Sequence, residues 1–164
     1  MFDPEILALA ERVLDACRGR GWRLATAESC TGGLVAAALT AIADSSDVVE
    51  RGFVTYSNAA KSELLGVTPE ILAAHGAVSA ETAAAMAAGA LARAPVDLAV
   101  SITGIAGPGG GSHGKPVGLV HLGLAVRQGA AATDRHVFPG DRTRVRRAAL
   151  VRALELLYAA ARTE

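Results

Sequence analysis

Apolar and polar positions recur along the chain with two different periods, and the local period predicts the local element. Near the start Ile6, Ala10, Val13, Leu14 and Cys17 return at helical spacing. This predicts an amphipathic helix opened by Asp3-Pro4, as N-cap and first-turn proline, and closed at Gly19 and Gly21. Residues 22–27 form a short apolar run suited to a buried strand, which hands Glu28-Ser29 to a turn before Gly32-Gly33. Residues 34–42 then read as helix. Past the polar break at 44–47, residues 48–56 read as a second strand, and Asn58 is expected to cap a short helix over 59–65. Another short helix is predicted over 69–74, and Ser79 should cap a longer one over 80–93. Residues 96–102 are almost continuously apolar, as in a central strand buried on both faces.

The segment from Thr103 to Pro116 is too glycine-rich for either regular structure and predicts a loop. Two strand candidates follow, 117–126 and 132–138, joined through Gln128-Gly129 like a hairpin, and a last helix runs from Asp141 to about residue 161. Strands that alternate with helices and then pair as a hairpin predict an α/β fold: a single layered domain over 1–164, its mixed central sheet flanked by helices on both faces. No internal repeat or linker divides it.

Composition narrows the picture in three ways. The chain is 51% hydrophobic and only 4% aromatic, so its core must be built from Ala, Val, Leu and Ile. Sixteen basic and sixteen acidic residues give a net charge of +0, which argues against nucleic acid or an anionic membrane as the main partner. Cys17 and Cys30 are too few for a disulfide framework or a zinc site, the amino terminus carries no secretory pattern, and the apolar runs are too short to span a bilayer. A cytoplasmic protein with no metal and no cofactor is expected.

Ligands of open α/β sheets bind where strands end and helices begin, which selects three segments: 28–33, 56–61 and 103–114. In the first, Ser29 stands before two glycines and a helix start whose free N–H groups can receive an oxyanion or a phosphate. Ser29 or Thr31 could equally be a plain helix cap. Lys61 can serve a serine nucleophile as base if burial lowers its pKa, and Tyr56 could pass a proton between them; a surface lysine beside a strand-end tyrosine is the bland alternative. The third segment is either a phosphate cradle or a flexible surface loop. Cys30 could be an activated thiol, though a small buried residue is the commoner role. The four histidines are scattered, so nothing marks a Ser-His-Asp triad. The basic run Arg142, Arg144, Arg146 and Arg147 reads as a solvated face, with Arg142 as a phosphate contact.

Five ordered motifs give these segments a common meaning. They are residues 26–33 (Thr-Ala-Glu-Ser-Cys-Thr-Gly-Gly), 54–58 with Lys61 and 64–67, 75–79 (His-Gly-Ala-Val-Ser), 103–108 and 115–118 (Lys-Pro-Val-Gly). Together they resemble the CinA carboxy-terminal domain family, whose characterised members include nicotinamide-nucleotide amidases, and the resemblance spans nearly the whole chain. It implies hydrolysis of nicotinamide mononucleotide to the nicotinate mononucleotide and ammonia, without metal or cofactor. Ser29 would be the nucleophile, Lys61 the general base and Tyr56 a relay. The substrate would be held by Glu28, Thr31, Gly32, Gly33, Asn58, Thr103, Gly104, Ala106, Gly107 and Arg142. A homo-oligomer, dimer or higher, is expected. Many relatives carry a further amino-terminal domain resembling molybdopterin-binding proteins, whose chemistry is not expected here. The competing expectation is a regulatory module that binds a pyridine nucleotide without turning it over.

Overall fold

The computed structural model describes residues 1–162. Helix α1 (Pro4–Arg20) buries Ile6, Ala10, Val13, Leu14 and Cys17, the stripe its spacing predicts. Gly21 closes it in the left-handed conformation, φ 66°, with its N–H turned back to the carbonyl of Arg18. Asp3 holds the N-cap position, but its carboxylate accepts from the Arg147 guanidinium at 2.6 Å instead of capping. Strand β1 (Leu24–Glu28) starts two residues later than the apolar run, because Trp22 stays in the bend, with the Arg20 guanidinium 3.7 Å from its ring centroid. There follow α2 (Leu34–Thr40), a single 3-10 turn (Ser45–Asp47), β2 (Val49–Val54), α3 (Asn58–Leu65), α4 (Pro69–His75) and α5 (Ala80–Arg93). The chain ends with β3 (Leu98–Gly104), β4 (Leu119–Val126), β5 (Ala131–Val137) and α6 (Arg142–Ala161).

Four helix starts are fixed by a side chain that accepts from an amide three residues on: Ser57, Thr68, Ser79 and Asp141. Asn58, expected as the cap of α3, is instead its first helical residue; the Ser57 hydroxyl takes the N–H of Ala60 at 3.0 Å. In the turn between β4 and β5, Gln128 adopts a positive φ of 57° and Gly129 donates to Val126.

The strands order as β2-β1-β3-β4-β5, with β1 parallel to both β2 and β3 and the last two strands antiparallel. The mixed sheet separates two unlike layers. Along β3, Leu98, Val100 and Ile102 pack with α1, α2 and α6, joined by Val120 and Leu122 of β4. The alternate residues face α3, α4 and α5 and are small, as period two requires of a surface that a helix approaches closely. Ser101 donates to the Ala83 carbonyl of α5 at 2.5 Å, and a Cβ on Gly123 would lie 2.3 Å from that same oxygen. Among the described residues no helix is long and apolar enough to cross a membrane.

Candidate active site at the strand ends

Because β2, β1 and β3 run parallel, their carboxyl ends share one edge. Two further ladder bonds carry the backbone past the strands there: Ser29 N–H donates to Ile102 at 2.9 Å and Thr55 N–H to Glu28 at 2.8 Å. Successive side chains on an extended backbone point to opposite faces, so Glu28 and Ser29 part company. The buried Glu28 carboxylate turns to α2, accepting from the N–H groups of Val35 (2.9 Å) and Ala36 (3.1 Å) and from the Thr26 hydroxyl (3.2 Å). It therefore fastens the start of α2, where Gly33 at the N-cap has no side chain to do so. Neither Ser29 nor Thr31 caps this helix. The substrate contact expected of Glu28 is corrected by the same geometry, since both carboxylate oxygens are engaged within the fold.

Ser29 turns the other way, to α3. The Lys61 side chain is 1% exposed, and its Nζ lies 3.1 Å from Ser29 Oγ, 3.0 Å from the Thr55 carbonyl and 3.5 Å from the Tyr56 carbonyl. The surface-lysine alternative is thereby removed. Burial pushes the Lys61 pKa below its ordinary value of 10.5; the nearby Cys30 thiol acts weakly the other way, and no carboxylate offsets the burial among the described residues. A neutral amine has two N–H groups and one lone pair. Two carbonyls are placed to take the N–H groups, which leaves the lone pair for the Ser29 hydroxyl.

Tyr56 does not fill the place expected of it. Its side chain is 62% exposed and its hydroxyl accepts from Arg142 at 3.0 Å. Only its backbone carbonyl faces Lys61, and the direct amine–hydroxyl contact leaves no gap for a relay. Cys30 is buried in the α2 and α6 layer, and burial pushes its thiol up to about 11, so it stays protonated near neutral pH.

One residue read from sequence as a solvated face proves to be structural to the turn. Arg146 of α6 donates to the carbonyls of Cys30 (3.0 Å) and Thr31 (3.1 Å). In a planar trans peptide the N–H opposes the C=O, so the Cys30–Thr31 peptide must direct the Thr31 N–H away from Arg146. That N–H, like the N–H of Gly33, finds no acceptor among the described residues. No local sequence signal marks Arg146 for this; only packing of α6 over α2 brings the two together.

The remaining candidates divide. Asn58 is exposed and lies one helical turn before Lys61, on the same face of α3. Gly32 is exposed, whereas Thr31 is wholly buried, backbone included, with its hydroxyl unpartnered. Thr103 is buried, its hydroxyl donating to the Ala77 carbonyl at 2.6 Å. A Cβ on Gly104 would lie 2.8 Å from the Leu119 carbonyl, so packing against β4 demands this glycine. Ala106 belongs to the core under α6 and does not line a ligand site. Arg142 is exposed and ties the glycine loop to the end of β2, through Gly107 (2.9 Å) and the Tyr56 hydroxyl. Among the described residues, no three His, Cys, Asp or Glu side chains gather closely enough to hold a metal ion.

Residues 6–161 match the family described as CinA C-terminal domain. The chain is 53% identical over 158 residues to the nicotinamide-nucleotide amidohydrolase PncC of Escherichia coli K12, covering 96% of each protein. It is 51% identical to a longer CinA-like protein of Syntrophobacter fumaroxidans, of which it spans 35%. Among solved structures, the competence/damage inducible protein CihA of Agrobacterium tumefaciens superposes with a TM-score of 0.95 at 51% identity, covering 97% of both chains. A CinA superfamily protein of Klebsiella pneumoniae gives 0.91 at 42% identity, covering 95% of this chain and 97% of that one. The chain belongs to the CinA C-terminal domain family.

Proposed function

We propose that this protein is a nicotinamide-nucleotide amidase that converts nicotinamide mononucleotide and water to nicotinate mononucleotide and ammonia. The observation that carries the reading is the 3.1 Å contact between Ser29 Oγ and a buried lysine amine that lacks a carboxylate partner. The near-full-length relationship to a protein named for this activity supports the substrate.

The chemistry follows from those groups. The Lys61 amine takes the hydroxyl proton as Ser29 Oγ attacks the carboxamide carbon. Negative charge gathers on the carboxamide oxygen, where the free Gly33 N–H at the start of α2 is suited to receive it. Lys61, now an ammonium, returns the proton to the departing nitrogen, and ammonia leaves an ester on Ser29. Water then attacks that ester, with Lys61 again taking and returning one proton, and the free carboxylate leaves. The atoms balance with no metal and no redox step.

The test is ammonia release from nicotinamide mononucleotide by the pure protein and by Ser29→Ala. Release by the parent with loss of at least about a thousandfold in the variant is expected. Equal release by both would refute the serine's role. Thermal stabilisation by the nucleotide with no ammonia from the parent would instead support the regulatory binding module.

A further inference from the structure

Two of the family motifs, 75–79 and 115–118, take no part in the chemistry above, yet they meet at one open cleft of about 480 Å³. Its walls come from the start of α5, the glycine loop and the outer strands. The Lys115 ammonium donates to the His75 carbonyl at 2.6 Å, and its Nζ also lies against Gly76. Across the sheet, register sets Thr103 opposite His121 and His121 opposite Arg135, so these three side chains share one face. The Thr103 hydroxyl bonds Ala77, which identifies that face as the one under α5.

The cleft is rich in donors that lack an acceptor. The Arg135 guanidinium makes no hydrogen bond or ion pair among the described residues, since only its backbone N–H is engaged. Lys115 meets a carbonyl and no carboxylate. At the 14-residue α5, the Ser79 side chain and carbonyl take the amides of Thr82 and Ala83, leaving the N–H groups of Ala80 and Glu81 free at the positive end of the helix. His121 is 8% exposed and lines the cleft, while its Nδ1 is turned inward, buried and without a partner among the described residues. Burial first, and then the charges of Arg135 and Lys115, hold His121 below its ordinary pKa, while Glu81 pulls weakly the other way. Glu81 is the acid on this wall, and it faces His75 at 3.7 Å.

Position supplies the class of anion. Ser29 is bonded to the end of β3, so the His121 and Arg135 strands lie roughly 10 and 15 Å from the serine's own strand at ordinary strand spacing. That is the scale of a ribose between a pyridine ring and a phosphate.

We propose that the cleft formed by Lys115, Arg135, His121 and the first turn of α5 is the subsite for the 5′-phosphate of the mononucleotide whose carboxamide meets Ser29. The proposal rests on the amidase reading for its ligand, and two independent arms test it. The first compares ammonia release from nicotinamide mononucleotide and from nicotinamide riboside, which lacks the phosphate. The ratio of the two kcat/KM values should fall at least about tenfold in Arg135→Gln and in Lys115→Met, through KM for the mononucleotide. Equal loss on both substrates would overturn the subsite, because it would mean that the variants disturb the fold or the serine. The second arm needs no turnover. Calorimetry should detect ribose 5-phosphate binding to the parent, and that binding should weaken at least about tenfold in Arg135→Gln, whose guanidinium bonds nothing that the fold requires. Unchanged binding in Arg135→Gln, or none to the parent, would sink the subsite. A parent that binds ribose 5-phosphate in this way but releases no ammonia would overturn the amidase reading and leave the subsite standing.

Discussion

The two faces of the sheet are built from different materials. Under α1, α2 and α6 lies a thick layer of Leu, Val and Ile, while the face under α3, α4 and α5 is paved with Ala, Gly, Ser and Thr. Large aliphatic side chains bury the most area per residue and so hold the fold together. Small ones let α5 approach the sheet closely and leave polar groups buried beside it: Lys61, Thr82, Ser101 and Thr103. Stability is concentrated on one face and chemistry on the other, and the Glu28-Ser29 step is where the chain passes from one to the other.

Substitutions can break this contrast, and their effects should descend in size. Lys61→Met should lower ammonia release by about a thousandfold, since it removes the proposed base, while the thermal midpoint holds or rises because a desolvated amine gives way to a side chain of similar length. A falling midpoint would show that the amine also supports the fold. On the thick face, Leu154→Ala should cost about 3 kcal/mol in urea unfolding and leave turnover per folded molecule unchanged. Gly123→Ala tests the close approach of α5: the added methyl collides with the Ala83 carbonyl, so a loss of about 2 kcal/mol is expected, where an exposed glycine replacement would be neutral. Arg146→Lys, which cannot bond two carbonyls in one plane, should reduce kcat about tenfold with KM nearly unchanged. A rise in KM alone would place Arg146 in ground-state binding instead.

Helix stripes and strand runs were legible in the sequence because they depend on neighbours three or two residues away, as in α1, β3 and the capping of α5 by Ser79. The junction that presents Ser29 was legible for the same reason. What escaped depends on distance along the chain. Arg146 reaches a turn 116 residues earlier, and no local pattern distinguishes it from Arg144 or Arg147. Glu28 was misassigned because a carboxylate beside a nucleophile looks functional until the pleat turns it to the opposite face. The proton relay assigned to Tyr56 presupposed a gap between serine and lysine, and spacing in sequence says nothing about such a gap. The motifs at 75–79 and 115–118 could be quoted but not interpreted, because only the antiparallel strands bring Arg135 and His121 to them.

The burial of Lys61 makes protonation a partner of folding. The unfolded chain holds this proton up to the ordinary lysine value of 10.5, while the folded chain gives it up at lower pH. Between those two midpoints the unfolded state binds one proton more, so the fold gains stability as pH rises, by about 1.4 kcal/mol per pH unit, and loses it again on acidification through the folded midpoint. Unfolding titrations of the parent and of Lys61→Met should differ by that slope inside the window and run parallel outside it. In the proposed mechanism, the amine that would take the Ser29 proton gives up its own more readily once the chain folds, before any substrate arrives.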